Sequence, residues 1–109
     1  MITKTITAAN QYSDPIRIAG NMRPVITVRQ TTAPFSATVQ VERHEDIFAA
    51  TPPASSDTGW LAVQSASVSS DGKMFSGLPG NAWYRAGVPT GGYTSGQASI
   101  TLSSEKATN

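Results

Sequence analysis

The chain has 109 residues, a single histidine, no cysteine and a net charge of +1, so it can bury one core but not two, and no disulfide or thiolate metal centre can hold it together. With 14% charged residues it lacks the basic stripe that a nucleic-acid binder uses to release counterions. No apolar run approaches the roughly 18 residues of a membrane span, and the N-terminus lacks the apolar centre of a secretory signal. The expectation is no nucleic acid, no membrane, and a location in the cytosol or in a particle assembled there.

Ile2, Lys4 and Ile6 alternate with Thr3, Thr5 and Thr7, a β-branched run that predicts a first strand. Ala8 to Asp14 reads as a turn. Pro15 then opens a short strand in which Ile16 and Ile18 flank Arg17, with proline placed where no amide donor is needed. After Ala19-Gly20-Asn21, the segment Pro24 to Gln30 predicts a third strand, Ile26 and Val28 inward and Arg23, Thr27 and Arg29 outward. Phe35, Ala37, Val39 and Val41 alternate with Ser36, Thr38, Gln40 and Glu42, the clearest strand signal in the chain. Next comes Arg43 to Phe48, and then Ala49 to Gly59, which holds Pro52, Pro53 and several Ser, Thr and Asp residues. It offers too little apolar area to offset its ordering entropy, and predicts a long surface loop around 44–59.

Trp60 to Gln64 resumes strand character, Ser65 to Ser70 is small and polar, and Asp71-Gly72 signals a hairpin turn into a partner strand, Lys73 to Leu78. Ala82, Tyr84, Ala86 and Val88 share one side of a further strand, and Ala98, Ile100 and Leu102 share one side of the last. The glycine-rich turn Pro89 to Gly96 between them predicts a C-terminal hairpin. About eight strands, no helical periodicity and no internal repeat predict one all-β domain over 1–109, a two-sheet antiparallel β-sandwich of jelly-roll or immunoglobulin-like type. The expected core is Ile16, Ile26, Val28, Phe35, Val39, Val41, Leu61, Val63, Phe75, Tyr84, Val88, Ile100 and Leu102. Trp60 and Trp83 divide between core and surface.

His44, beside Arg43, Glu45 and Asp46, has the chemistry of an acid/base group or a metal ligand. A catalytic zinc needs three protein ligands, mostly His or Cys, and one histidine does not supply them, so the expectation is an exposed loop or strand-end histidine. No Gly-x-Ser-x-Gly nucleophile motif is present. The carboxylates Asp14, Glu42, Glu45, Asp46, Asp57, Asp71 and Glu105 fall mostly in turns and strand ends. The chain therefore reads as a non-enzyme without cofactor. Arg17, Arg23, Arg29 and Arg85 read either as interface donors or as solvated arginines; Trp60, Trp83 and Tyr93 read as interface anchors, as core, or as a sugar-stacking platform.

Phe35 to Arg43, then Gly59 to Val63, then Asn81 to Gly87 leading into Tyr93 to Leu102, resemble segments of small structural proteins of tailed bacteriophages. In those, a strand ending in Arg is followed by a turn and a Trp, and a Tyr-Arg or Phe-Arg strand leads to a Thr-Ser-Gly turn and a final alternating strand. The relatives usually carry a short acidic and glycine-rich turn after the Arg, whereas His44 to Thr58 is longer and richer in proline. Leu78, Pro79, Gly80 and Tyr84 are also similar to the tyrosine corner of immunoglobulin-like or fibronectin type III domains. The phage resemblance implies a capsid decoration or cement protein of the virion, made in the host cytoplasm. It also implies binding to the major capsid protein as a homo-oligomer, a dimer or a trimer. The alternative, motivated by Trp60, Trp83 and Tyr93, is a carbohydrate- or receptor-binding module of a phage tail or head fibre. Contact is expected from Ile2 to Thr7, Ala49 to Gly59 and Pro89 to Ser95, with Ile2, Lys4, Ile6, Arg23, Arg29, Pro52, Pro53, Trp60, Trp83 and Tyr93 as the interface residues.

Overall fold

The computed structural model describes residues 1–75 and 80–106, apart from the side chains of 73–75. Among them run β1 (Ile2–Ile6), β2 (Gln11–Tyr12), β3 (Ile16–Ile18), β4 (Met22–His44), β5 (Trp60–Val68), β6 (Gly72–Phe75), β7 (Ala82–Val88) and β8 (Tyr93–Lys106). Every pairing is antiparallel and the described residues form no helix. The chain is all-β, as its alternation predicts, and its strands form one hydrogen-bonded sheet that nearly closes into a barrel.

β4 organises that sheet. The segments Pro24 to Gln30 and Phe35 to Glu42, separate in the sequence reading, are halves of one 23-residue strand. Its first half pairs with β8 on one edge and β6 on the other; its second half pairs with β5 and β7. The ladder to β8 is irregular between Gln30 and Ala37, where the strand changes neighbours. There the Gln30 side-chain Oε1 accepts the Phe35 N–H at 2.9 Å, replacing a ladder bond. Gly96 lies against this bend with φ 75°, and a Cβ there would sit 2.3 Å from the Pro34 carbonyl oxygen, so both its backbone angle and its surroundings demand glycine.

Two predicted pairings are corrected. β8 pairs with β4 as far as Ala37 and β7 pairs with it from Gln40, both on the edge opposite β5, so β7 and β8 follow one another along β4 and the C-terminal hairpin does not form among the described residues. Likewise β6 pairs with the first half of β4 while β5 pairs with the second, so among the described residues the turn before Gly72 joins strands that do not pair with each other. Turn residues mark where the chain reverses. β4 is long enough to take two strands in succession along each edge, β8 then β7 on one and β6 then β5 on the other.

The core holds Ile26, Val28, Phe35, Val39, Val41, Tyr84, Val88, Ile100 and Leu102, as expected, together with Ile6, Ile18, Ala37, Ala82, Ala86 and Ala98. Ile16 and Val63 are half-buried and pack against it, and the Phe75 side chain lies outside the described residues. Leu61 is a correction, since it is 48% exposed. A bulge lies beside it: Val41 faces Gln64 but Glu42 faces Ala62, so one extra β5 residue sets Leu61 opposite Arg43 and Trp60 opposite His44 on the outer face, and it is Trp60 that is buried at that end.

Candidate functional site

Because Val41 faces the core, Gln40, Glu42 and His44 face outward, and the ladders set Glu42 opposite Arg85, Gln40 opposite Gly87 and His44 opposite Trp60. Tyr12 also faces Gly87, and Arg17 faces Trp83. The long loop between β4 and β5 folds back over this face. Sheet side chains fasten it at successive carbonyls: Arg17 Nη1 donates to Ile47 at 2.7 Å, Trp83 Nε1 to Ala49 at 2.9 Å, Trp60 Nε1 to Ala54 at 3.0 Å and Arg85 Nη1 to Ser55 at 3.0 Å. The loop's base closes through Glu45 N–H donating to the Gly59 carbonyl at 2.9 Å. The loop predicted from composition is present, but it is held by the sheet, which its own sequence does not announce.

At the centre is Arg85. Its Nε donates to Glu42 Oε1 at 2.7 Å and its Nη2 lies 2.7 Å from the same oxygen, both side chains being about one tenth exposed. The guanidinium is stacked between the Tyr12 ring, 4.3 Å away, and the Trp60 ring, 4.6 Å away. Glu42 Oε2 accepts from Gln40 Nε2 at 2.7 Å. Both members of this buried ion pair are thus hydrogen-bonded, the condition under which such a pair is tolerated. Burial first, and then the Glu42 carboxylate, push the Tyr12 hydroxyl above its ordinary pKa. Gly87 makes room for the pile: a Cβ there would meet the Gln11 carbonyl oxygen at 2.1 Å.

His44 is buried, not exposed as the sequence suggested, and stands edge-on to Trp60 with ring centroids 5.1 Å apart. Its Nδ1 accepts the Asp46 N–H at 3.0 Å, which leaves the proton on Nε2; that atom lies 3.2 Å from Asp57 Oδ1 without hydrogen-bond alignment. Asp57 Oδ1 in turn accepts the Gly59 N–H at 2.8 Å, and this bond first, then His44, holds its carboxyl below the ordinary range. His44 therefore does meet an acid. It is only 5% exposed, and its bond to Asp46 and its approach to Asp57 join the two ends of the loop. Among the described residues no three His, Cys, Asp or Glu side chains gather to hold a metal.

The residues expected at an interface are scattered. Ile6 is fully buried in the core and Trp60 lies beneath the loop, so neither offers surface to a partner in this conformation. Trp83 and Tyr93 are half-buried, their polar ends taken up by the Ala49 and Gly96 carbonyls. The three rings form no exposed platform. Arg23 donates from Nε to Glu105 at 2.9 Å, Arg29 is exposed, Ile2, Lys4 and Pro53 are half-buried, and Pro52 is exposed. The sequence reading missed Phe48, which is 85% exposed in the loop, and the buried Glu42–Arg85 pair. Phe48 follows a run of charge, and Asp46 Oδ1 accepts its N–H at 3.0 Å, a turn that points the following residue outward. Leu78 and Pro79 of the suggested tyrosine corner lie outside the described residues. Tyr84 itself is fully buried, its hydroxyl pushed up by desolvation and drawn back by Arg43.

Comparison with protein-family models, with curated proteins and with solved structures finds no match to this chain.

Proposed function

We propose that this chain is a virion structural protein that binds and stabilises an assembled phage capsid, a decoration or cement protein docked on the major capsid protein. The observation that carries the reading is the loop 45–59, fastened at four carbonyls by sheet side chains while it holds Phe48 and Pro52 out to solvent. A surface ordered before it binds loses little further conformational entropy on contact, and an exposed aromatic on it has the form of an anchor residue. The resemblance of the β4, β7 and β8 segments to small phage structural proteins points the same way. The protein acts as a dimer or trimer, so that contacts joined on one assembly raise one another's effective concentration. Binding only the mature lattice stabilises that lattice by linkage.

We read the sheet as two layers. β1, β8, β6 and the first half of β4 form one; β5, β7, β2, β3 and the second half of β4 form the other. The pairings of β4 and a smallest dimension of 18 Å across the Cα positions support that reading.

The test is sedimentation of purified protein with mature heads that lack it, followed by heating. Co-sedimentation at fixed copy number and a raised disruption temperature are expected. Failure to bind, with unchanged head stability, removes the reading.

A further inference from the structure

The edges of the nearly closed sheet, β1 and β2, approach each other without pairing. At this seam lies a cleft of about 330 Å³ lined by Lys4, Asn10, Gln11, Tyr12, Ser55 and Arg85. It draws on β1, the turn into β2, β7 and the fastened loop. We infer that it is a binding site for a single carboxylate group.

Lys4 makes the case. Ile2, Lys4 and Ile6 share the inward face of β1, and Lys4 stands directly opposite Ile100, which is fully buried. The alternation calls for an apolar side chain there, and a lysine placed against it departs from the local pattern in the way functional positions do. It is half-buried, and among the described residues no ion pair or side-chain hydrogen bond engages it. Arg85 adds donors: of its five N–H groups, two are directed at Glu42 and one at the Ser55 carbonyl, which leaves one on each Nη. Asn10 holds a left-handed φ of 60° at the cleft's rim, and the Gln11 amide is spent on Thr7 and Ala8.

Charge decides the class. Arg85 is neutralised by Glu42, no carboxylate lines the cleft, and the excess is the one charge of Lys4. A monoanion balances it; a doubly charged phosphate brings an uncompensated charge toward Glu42. The inference stands independently of the capsid reading, because small acids and acidic side chains present the same group.

The experiment is an NMR titration of the amide and Arg Nε signals with sodium acetate, against sodium chloride at equal ionic strength and against inorganic phosphate. Saturable shifts at Lys4, Asn10, Tyr12 and Arg85 with acetate alone are expected, weakened at least tenfold in Lys4→Met and retained in Lys4→Arg. A blocked glycine-rich pentapeptide with one central glutamate separates the sources: tighter binding than acetate assigns the site to a polypeptide side chain, equal binding to a small acid. Shifts that track ionic strength without saturating in the wild-type protein overturn the inference. So does a stronger response to phosphate, or an undiminished response in a folded Lys4→Met, in which case Lys4 only blunts the β1 edge against strand pairing.

Discussion

Replacing Glu42 by Gln tests whether the outer face is organised around its buried ion pair. The substitution keeps the volume and removes the charge, leaving the Arg85 guanidinium between Tyr12 and Trp60 without its counter-ion. Oε1 receives two Arg85 donors and Oε2 the Gln40 amide, so a neutral amide also puts an N–H where an acceptor is needed. Breaking a buried pair by removing one partner costs about 3–5 kcal/mol. At roughly 4 °C or more per kcal/mol for a domain near this size, the melting midpoint falls by more than about 12 °C. Replacing both partners, Glu42→Gln with Arg85→Met, removes the stranded charge and leaves the loss of the Ser55 contact and the stacking. The double variant is therefore expected to be less destabilised than the sum of the single ones by about 2 kcal/mol or more. Urea unfolding followed by circular dichroism measures the cycle. A loss below about 1 kcal/mol for Glu42→Gln, or a coupling within about 0.5 kcal/mol of zero, refutes the reasoning.

Trp60→Phe and Trp83→Phe each delete one bond to a loop carbonyl, at Ala54 and Ala49, at about 1 kcal/mol apiece; the double variant is expected to be cut by protease within 45–59 well before the wild type. Gly87→Ala forces a Cβ onto the Gln11 carbonyl, and is expected to cost about 1–3 kcal/mol and to abolish hydrogen-exchange protection across the β2–β7 pair. Asp57 has a folded-state pKa below its unfolded one, so its contribution is present above the ordinary Asp range near 4 and is lost as pH falls through the folded value. Asp57→Asn is expected to flatten stability against pH in that acid window and to speed exchange of the Gly59 amide, read by denaturant melts and NMR. Phe48→Ser is expected to leave the melting midpoint within the change of about 0.5 kcal/mol usual for a surface site while weakening binding to heads; equal binding removes Phe48 from the contact.

The period-2 alternation of Phe35 to Glu42 and of Gln97 to Leu102 was legible without coordinates, because residues two apart on a strand must share a face. Composition likewise marked 44–59 as a loop. What the alternation could not carry across was the bulge at Val41/Glu42, which set Trp60 opposite His44 on the outer face, under the loop. A bulge leaves no residue signature of its own in this segment. His44, Trp60 and Arg85 each looked like an isolated chemical group in the sequence, and only the cross-strand register brings them into one layer.

The chain's own residues thus determined an all-β body, one core and most of the side chains inside it, since those follow from short-range periodicity and from how few apolar residues there are to bury. Tertiary structure alone decided that β7 and β8 follow one another along β4 instead of pairing, that the loop lies fastened on the outer face, and that Lys4 and Arg85 line one cleft at the open seam. Those outcomes depend on which strand edges meet over long separations. Edges are built of backbone groups that every residue carries alike, so side-chain sequence says little about which of them pair.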